Sequence, residues 1–142
     1  MLKNSLVHPE ILEALAGAGH TGKVLIADGD YPVSSTKGNN TKVVHLNLSP
    51  GMIDAATVAK ALLENMPFEA AAVMDVPGQR DEPEIWNEYR KLLKDNGVDC
   101  ELEIIERFAF YNTVKSDDTV LIIQTGENRD YANLLLTIGS RF

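Results

Sequence analysis

Two runs of four apolar residues, Val24-Leu25-Ile26-Ala27 and Val120-Leu121-Ile122-Ile123, constrain this chain more than anything else in it. Each is too short for a buried helix, and neither has a polar residue to turn towards water. A strand of that kind needs both faces covered, as in a sheet sandwiched between helices. The intervening segments supply the helices. His8-Pro9-Glu10 opens one, with Pro at a first-turn position where its missing N–H costs nothing; Ile11, Leu12, Leu15 and Ala18 follow at helical spacing. Ser49-Pro50 is expected to start a second, running to about Glu64 and closed before Pro67. Glu82-Pro83 opens a third, whose Ile85, Trp86, Tyr89, Leu92 and Leu93 form one apolar stripe and whose end is marked by Gly97. Phe108 to Val114 reads as a short fourth helix. Further strands are expected at 43–46, 70–74, 102–105 and 134–138. About six strands alternating with four helices make an α/β chain: a three-layer α/β/α single domain over residues 1–142, with a mixed, largely parallel sheet.

Composition narrows the function. Thirteen basic against twenty-one acidic residues leave a net charge of −8, which argues against a sequence-independent grip on nucleic-acid phosphates. There is no run of the ~18 apolar residues that a membrane helix needs. The N-terminal residues lack the pattern of a secretory leader, and Cys100 is the one cysteine, which leaves no disulfide framework and no cysteine metal cluster. A cytoplasmic protein without nucleic-acid or membrane partners is the expectation.

Gly17-Ala18-Gly19-His20-Thr21-Gly22 fits G-x-G-x-x-G, but it follows a helix and precedes a strand. A dinucleotide fingerprint needs the reverse order, so that a helix N-terminus meets the pyrophosphate. The glycines read more simply as a sharp turn that presents His20. Of the other histidines, His45 falls within a strand and His8 at a helix start.

Asp28-Gly29-Asp30 follows the first strand, where open α/β sheets bind ligands. The pair suits a polyol, and equally suits an ordinary Asp-Gly turn. A divalent-metal reading lacks enough further oxygen ligands nearby. Arg107-Phe108-Ala109-Phe110-Tyr111 places aromatics beside a guanidinium, which fits sugar binding or a helix with its aromatic face in the core. The connection Thr125 to Asn133 is long and polar, a mark of function or mobility. If extended, it would point Tyr131 and Asn133 the same way. His20 and Asp28 flank a single strand, and eight residues at about 3.3 Å each span up to roughly 26 Å. A site using both is therefore expected to be completed across a contact between subunits.

These same segments carry a resemblance. Gly19-His20-Thr21-Gly22, Asp28 with Tyr31-Pro32, Arg107-Phe108-Ala109-Phe110-Tyr111, Thr125-Gly126-Glu127 and Tyr131-Ala132-Asn133-Leu134 stand in the order and spacing of the D-ribose pyranase / L-fucose mutarotase family. The chain resembles that family over nearly its full length. Arg-Phe-x-Phe-Tyr and Ile85-Trp86-x-x-Tyr89 look like the fucose branch. The resemblance implies a cofactor-free isomerase that opens and closes a monosaccharide ring, with no metal. His20 would be the proton donor; Asp28, Arg107 and the segment Tyr131, Ala132, Asn133 would contact the sugar. Asp30 and Tyr111 are additional candidates. It further implies a homo-oligomeric ring, commonly a decamer, with sites at subunit contacts. Two positions depart from the family pattern. Ala132 stands where the fucose branch often has Gly, so its methyl would narrow the pocket if the residue approaches the sugar through its backbone, and Asp30 stands where relatives have residues such as His or Asn. The alternatives are ribose pyranase activity and a monosaccharide-binding protein without turnover.

Overall fold

The computed structural model describes every residue except Gln79 and Arg80. Among the described residues the elements are α1 (Pro9–Gly17), β1 (Lys23–Ala27), β2 (Lys42–His45), α2 (Ala55–Leu63), β3 (Phe68–Met74), α3 (Glu84–Asp95), β4 (Leu102–Ile105), α4 (Arg107–Val114), β5 (Thr119–Gln124) and β6 (Leu134–Ile138). The strands form one sheet in the order β2-β5-β1-β6-β3-β4. β2, β5 and β1 pair parallel, as do β3 and β4, while β6 runs antiparallel between β1 and β3. The sheet is thus mixed and largely parallel, as the apolar runs require.

Both faces of the central strands are covered. Val24 and Ile26 of β1, Leu121 and Ile123 of β5 and Leu134 and Leu136 of β6 pack under α1, α2 and α3 through Ile11, Leu15, Leu62, Trp86 and Tyr89. The alternate residues Leu25, Ala27, Ile122 and Leu135 face the other way, under Phe110 and Val114 of α4 and under Tyr31 and Val33 from the chain after β1. Period-two alternation along each strand therefore feeds two separate cores. No helix among the described residues is long and apolar enough to cross a membrane.

Side-chain caps mark the starts of α1, α2 and α4, whereas α3 begins after Pro83 without one. Nδ1 of His8 accepts from the Ile11 N–H (3.4 Å) at the start of α1. Glu106 accepts from the N–H groups of Phe108 and Ala109 (2.9 and 3.0 Å) at the start of α4. The beginning of α2 corrects the sequence reading. Ser49-Pro50 does not open it. Ser49 and Met52 instead close a tight turn, in which the Met52 N–H donates to the Ser49 carbonyl at 2.9 Å and Gly51 takes φ +82°. That left-handed step breaks any continuous helix there. Asp54 starts α2 by accepting from the Thr57 N–H at 2.7 Å, since a carboxylate three residues ahead of an orphan N–H is a strong cap. Asp54→Ala is expected to lower the unfolding free energy by about 1 kcal/mol, and Ser49→Ala to change it by less than about 0.5 kcal/mol. Urea denaturation of the two variants measures the difference.

Candidate functional site

β1, β2, β3 and β5 all end at the same edge of the sheet, and β6 begins there. A cleft of about 290 Å³ opens at that edge, lined by Asp28, Asp30, Tyr31, Pro32, Met74, Arg107, Tyr111, Asp130, Tyr131 and Asn133. Its size falls at the small end of ligand sites. A larger cavity of about 650 Å³ lies between α3 and β4, but it holds none of the candidate residues.

Asp28 is 7% exposed and Asn133 4% exposed. They are tied together twice. The Asp28 N–H donates to Asn133 Oδ1 at 2.8 Å, and Asn133 Nδ2 donates to Asp28 Oδ2 at 3.0 Å. The Asp30 N–H donates to the other Asp28 oxygen at 3.1 Å. Burial is the dominant influence on the Asp28 carboxyl and pushes its pKa up to about 6; the backbone N–H groups of Asp30, Tyr31 and Ala132 oppose the rise, and the charge of Asp30 adds to it.

Arg107 and Tyr111 form the opposite wall. Arg107 Nε donates to the Tyr111 hydroxyl at 3.3 Å, and its guanidinium lies 5.8 Å from the centre of the Tyr111 ring. Tyr111 packs edge-on to Tyr31 at 5.6 Å and to Phe108 at 6.2 Å. Phe108 is exposed beside Tyr111, whereas Phe110 is fully buried in the core.

The loop from Thr125 to Asn133 crosses over the end of β1, because β5 and β6 lie on either side of that strand. It is a fixed element: Thr125, Gly126, Glu127, Ala132 and Asn133 are buried. A Cβ at Gly126 would collide with the Met52 carbonyl. Burial would raise the Glu127 pKa, but the Arg129 guanidinium and backbone N–H, together with the Ala55 N–H at the start of α2, hold it down to about 2. Arg129 in turn reaches Glu88 of α3. The segment is not extended, so the condition under which period-two alternation would align Tyr131 and Asn133 is not met. Tyr131 adopts φ +56°, and its side chain and that of Asn133 share the cleft through this left-handed step. The methyl of Ala132 does not narrow the cleft. It is fully buried in the core under α1 to α3, and only its N–H faces Asp28.

His20 lies elsewhere. Its turn sits at the opposite edge of the sheet, where the Thr21 N–H donates to the carbonyl of Ile138, the last residue of β6, at 2.9 Å. Nε2 of His20 is 3.0 Å from Glu69 Oε2, with both side chains about half exposed. Among the described residues, the non-glycine positions with positive φ are Thr21 and Tyr131, one beside each candidate centre. His45 is exposed at the end of β2. Asp28 and Asp30 share the cleft, but among the described residues no three His, Cys, Asp or Glu groups converge to hold a metal ion.

The sequence reading missed Met74 and Asp130 as cleft residues. Met74 ends β3, so the strand-end rule that singled out Asp28 would have found it. Asp130 carried no signal beyond its polar loop.

The chain matches the RbsD / FucU transport protein family over residues 1–141. It is 34% identical over 143 residues to the fucose mutarotase of Danio rerio, covering 95% of this chain and 90% of that protein. The fold is similar to that of the Streptococcus pneumoniae fucose mutarotase solved in complex with L-fucose, with a TM-score of 0.84 and 27% identity, covering 99% of this chain and 100% of that one. It is also similar to Bacillus subtilis RbsD complexed with D-ribose, with a TM-score of 0.79 and 26% identity over the whole of both chains.

The Asp28 carboxyl has a signature in stability. An unfolded Asp titrates near 3.9, so the folded chain binds more protons between about pH 4 and pH 6. Its stability through this group is greatest below pH 4, falls as pH rises through that window, and levels off above it. Relative to Asp28→Asn, the wild-type protein is expected to lose unfolding free energy from pH 4 to pH 6. Urea titrations across that range measure the two slopes.

Proposed function

The chain belongs to the RbsD / FucU transport protein family, and from that premise we propose that it is a sugar mutarotase acting on an L-fucose-like aldose. It is an isomerase of monosaccharide rings. The observation that carries the reading is a buried carboxylic acid, Asp28, pinned in a monosaccharide-sized cleft that a guanidinium and three tyrosines also line.

Ring opening requires two proton movements. The anomeric O–H gives its proton to a base while the ring oxygen takes one from an acid. The bond between the anomeric carbon and the ring oxygen breaks, and the electrons of the O–H bond form the aldehyde. Rotation about the neighbouring carbon–carbon bond and reversal of both transfers close the ring on the other face. Asp28 suits the first transfer, because a group titrating near 6 accepts and returns a proton close to neutral pH. His20 suits the second, since its half-exposed imidazole on the turn before β1 can face a ligand. Arg107 and Tyr131 orient the sugar, while the backbone N–H of Ala132 holds the Asp28 carboxylate and acts on the sugar only through it; Tyr111 stacks against the sugar, and Asp30 reads a hydroxyl. Asn133 holds Asp28. The two proton-transfer groups lie at opposite edges of one sheet, so the site is completed by His20 from a second copy in a homo-oligomeric ring, commonly a decamer in such proteins. Glu69 holds His20 there through Nε2. A cytoplasmic setting goes with this reading.

Saturation-transfer NMR on the anomers of L-fucose, D-ribose, D-galactose and D-arabinose tests the proposal. Exchange of L-fucose anomers well above the buffer rate is expected, with His20→Ala losing about 10²–10⁴-fold while remaining folded. Acceleration confined to D-ribose would make the protein a ribose pyranase. Line broadening without acceleration for any sugar would make it a binding protein and remove the enzymatic reading.

A further inference from the structure

The cleft is shaped from behind by a helix that does not line it. Trp86 and Tyr89 of α3 are both buried, and each donates one hydrogen bond out of the core. Trp86 Nε1 donates to the Tyr131 carbonyl at 2.9 Å. The Tyr89 hydroxyl donates to the Ala132 carbonyl. Burial pushes the Tyr89 hydroxyl up, so it stays protonated and remains a donor. The two carbonyls are consecutive, and they belong to the residue at φ +56° and to the one after it. The next residue is Asn133, whose amide clamps Asp28 on two sides.

The geometry points to Tyr89 and Trp86 as positioning residues for the sugar site: their two hydrogen bonds fix the 131–133 backbone so that the Ala132 N–H and the Asn133 amide meet the Asp28 carboxylate. This rests on the reading of the cleft as a sugar site. The apolar faces of both rings explain their place in the core. Core packing does not require that both polar ends meet successive carbonyls of the one loop that faces Asp28. A left-handed non-glycine residue costs energy and persists where its surroundings over-determine it, and here α3 supplies the restraint. The other charged groups that line the cleft are Asp30, whose N–H also donates to Asp28, together with Arg107 and Asp130.

Tyr89→Phe removes the hydroxyl and keeps the ring. Trp86→Phe removes the indole N–H and serves as a second variant. Ile85→Val, one position along on the buried face of the same helix, is the control for general loss of stability. Two readouts are taken: KM and kcat for L-fucose anomer exchange, and the Asp28 midpoint followed by its side-chain ¹³C carboxyl shift. In Tyr89→Phe and Trp86→Phe, KM is expected to rise between about tenfold and 10²-fold. The Asp28 midpoint is expected to move upward, because donors to the ionised carboxylate are withdrawn. Ile85→Val should keep both wild-type values. Wild-type KM and midpoint in a folded Tyr89→Phe protein would overturn the proposal, as would equal changes in Ile85→Val. Absence of exchange in the wild-type protein would count against the mutarotase reading alone, since the Asp28 midpoint still reports on the positioning.

Discussion

β1 cannot change length. It is hydrogen-bonded to β5 on one side and β6 on the other, and its residues Val24 to Ala27 are fully buried. Five strand residues span about 17 Å, and this rigid distance separates the turn carrying His20 from the turn carrying Asp28. The rest of the molecule is arranged around the two ends. At one end, the loop between β5 and β6 must cross over β1 to join strands on either side of it. That crossing places Asn133 against Asp28, and it accounts for the length of the connection. At the other end, the return of β6 brings Ile138 against Thr21 and sets the His20 turn beside Glu69.

The two buried carboxylates of the site edge are treated in opposite ways. Glu127 receives a guanidinium and two backbone N–H groups and is held down to about 2. Its charge is permanent, and its work is to fix the loop to α2 and, through Arg129, to α3. Asp28 receives an amide and backbone N–H groups, but burial outweighs them and lifts it to about 6. Environments that push two like groups apart mark which is structural and which can exchange protons. The open cleft at Asp28 gives that proton somewhere to go.

Much of the fold was legible because its strands are apolar on both faces and its helices are not. The runs at 24–27 and 120–123 allow little but a covered sheet, and the stripe from Ile85 to Leu93 allows little but an amphipathic helix. The start of α2 was misread because Ser49-Pro50 and Asp54 both carry starting signals, and the choice between them falls to the left-handed Gly51. Parts of the site were legible for a related reason: strand ends and glycine-bounded turns stand out locally. The Asp28–Asn133 clamp did not, since its partners are 105 residues apart and meet only through the strand order. The orientation of Ala132 was equally hidden. Its methyl turns into the core because Tyr131 takes a left-handed conformation, which a sequence with no glycine there does not announce.

The central claim is that one functional site draws on two copies of the chain. Mixing tests it directly. His20→Ala and Asp28→Asn proteins, each inactive in anomer exchange alone, would be co-refolded or co-expressed in equal amounts. Mixed assemblies contain some sites with an intact His20 from one copy and an intact Asp28 from another, so exchange is predicted to return in part. Mixed assemblies, verified by differential tagging, that remain as inactive as either parent would contradict the account.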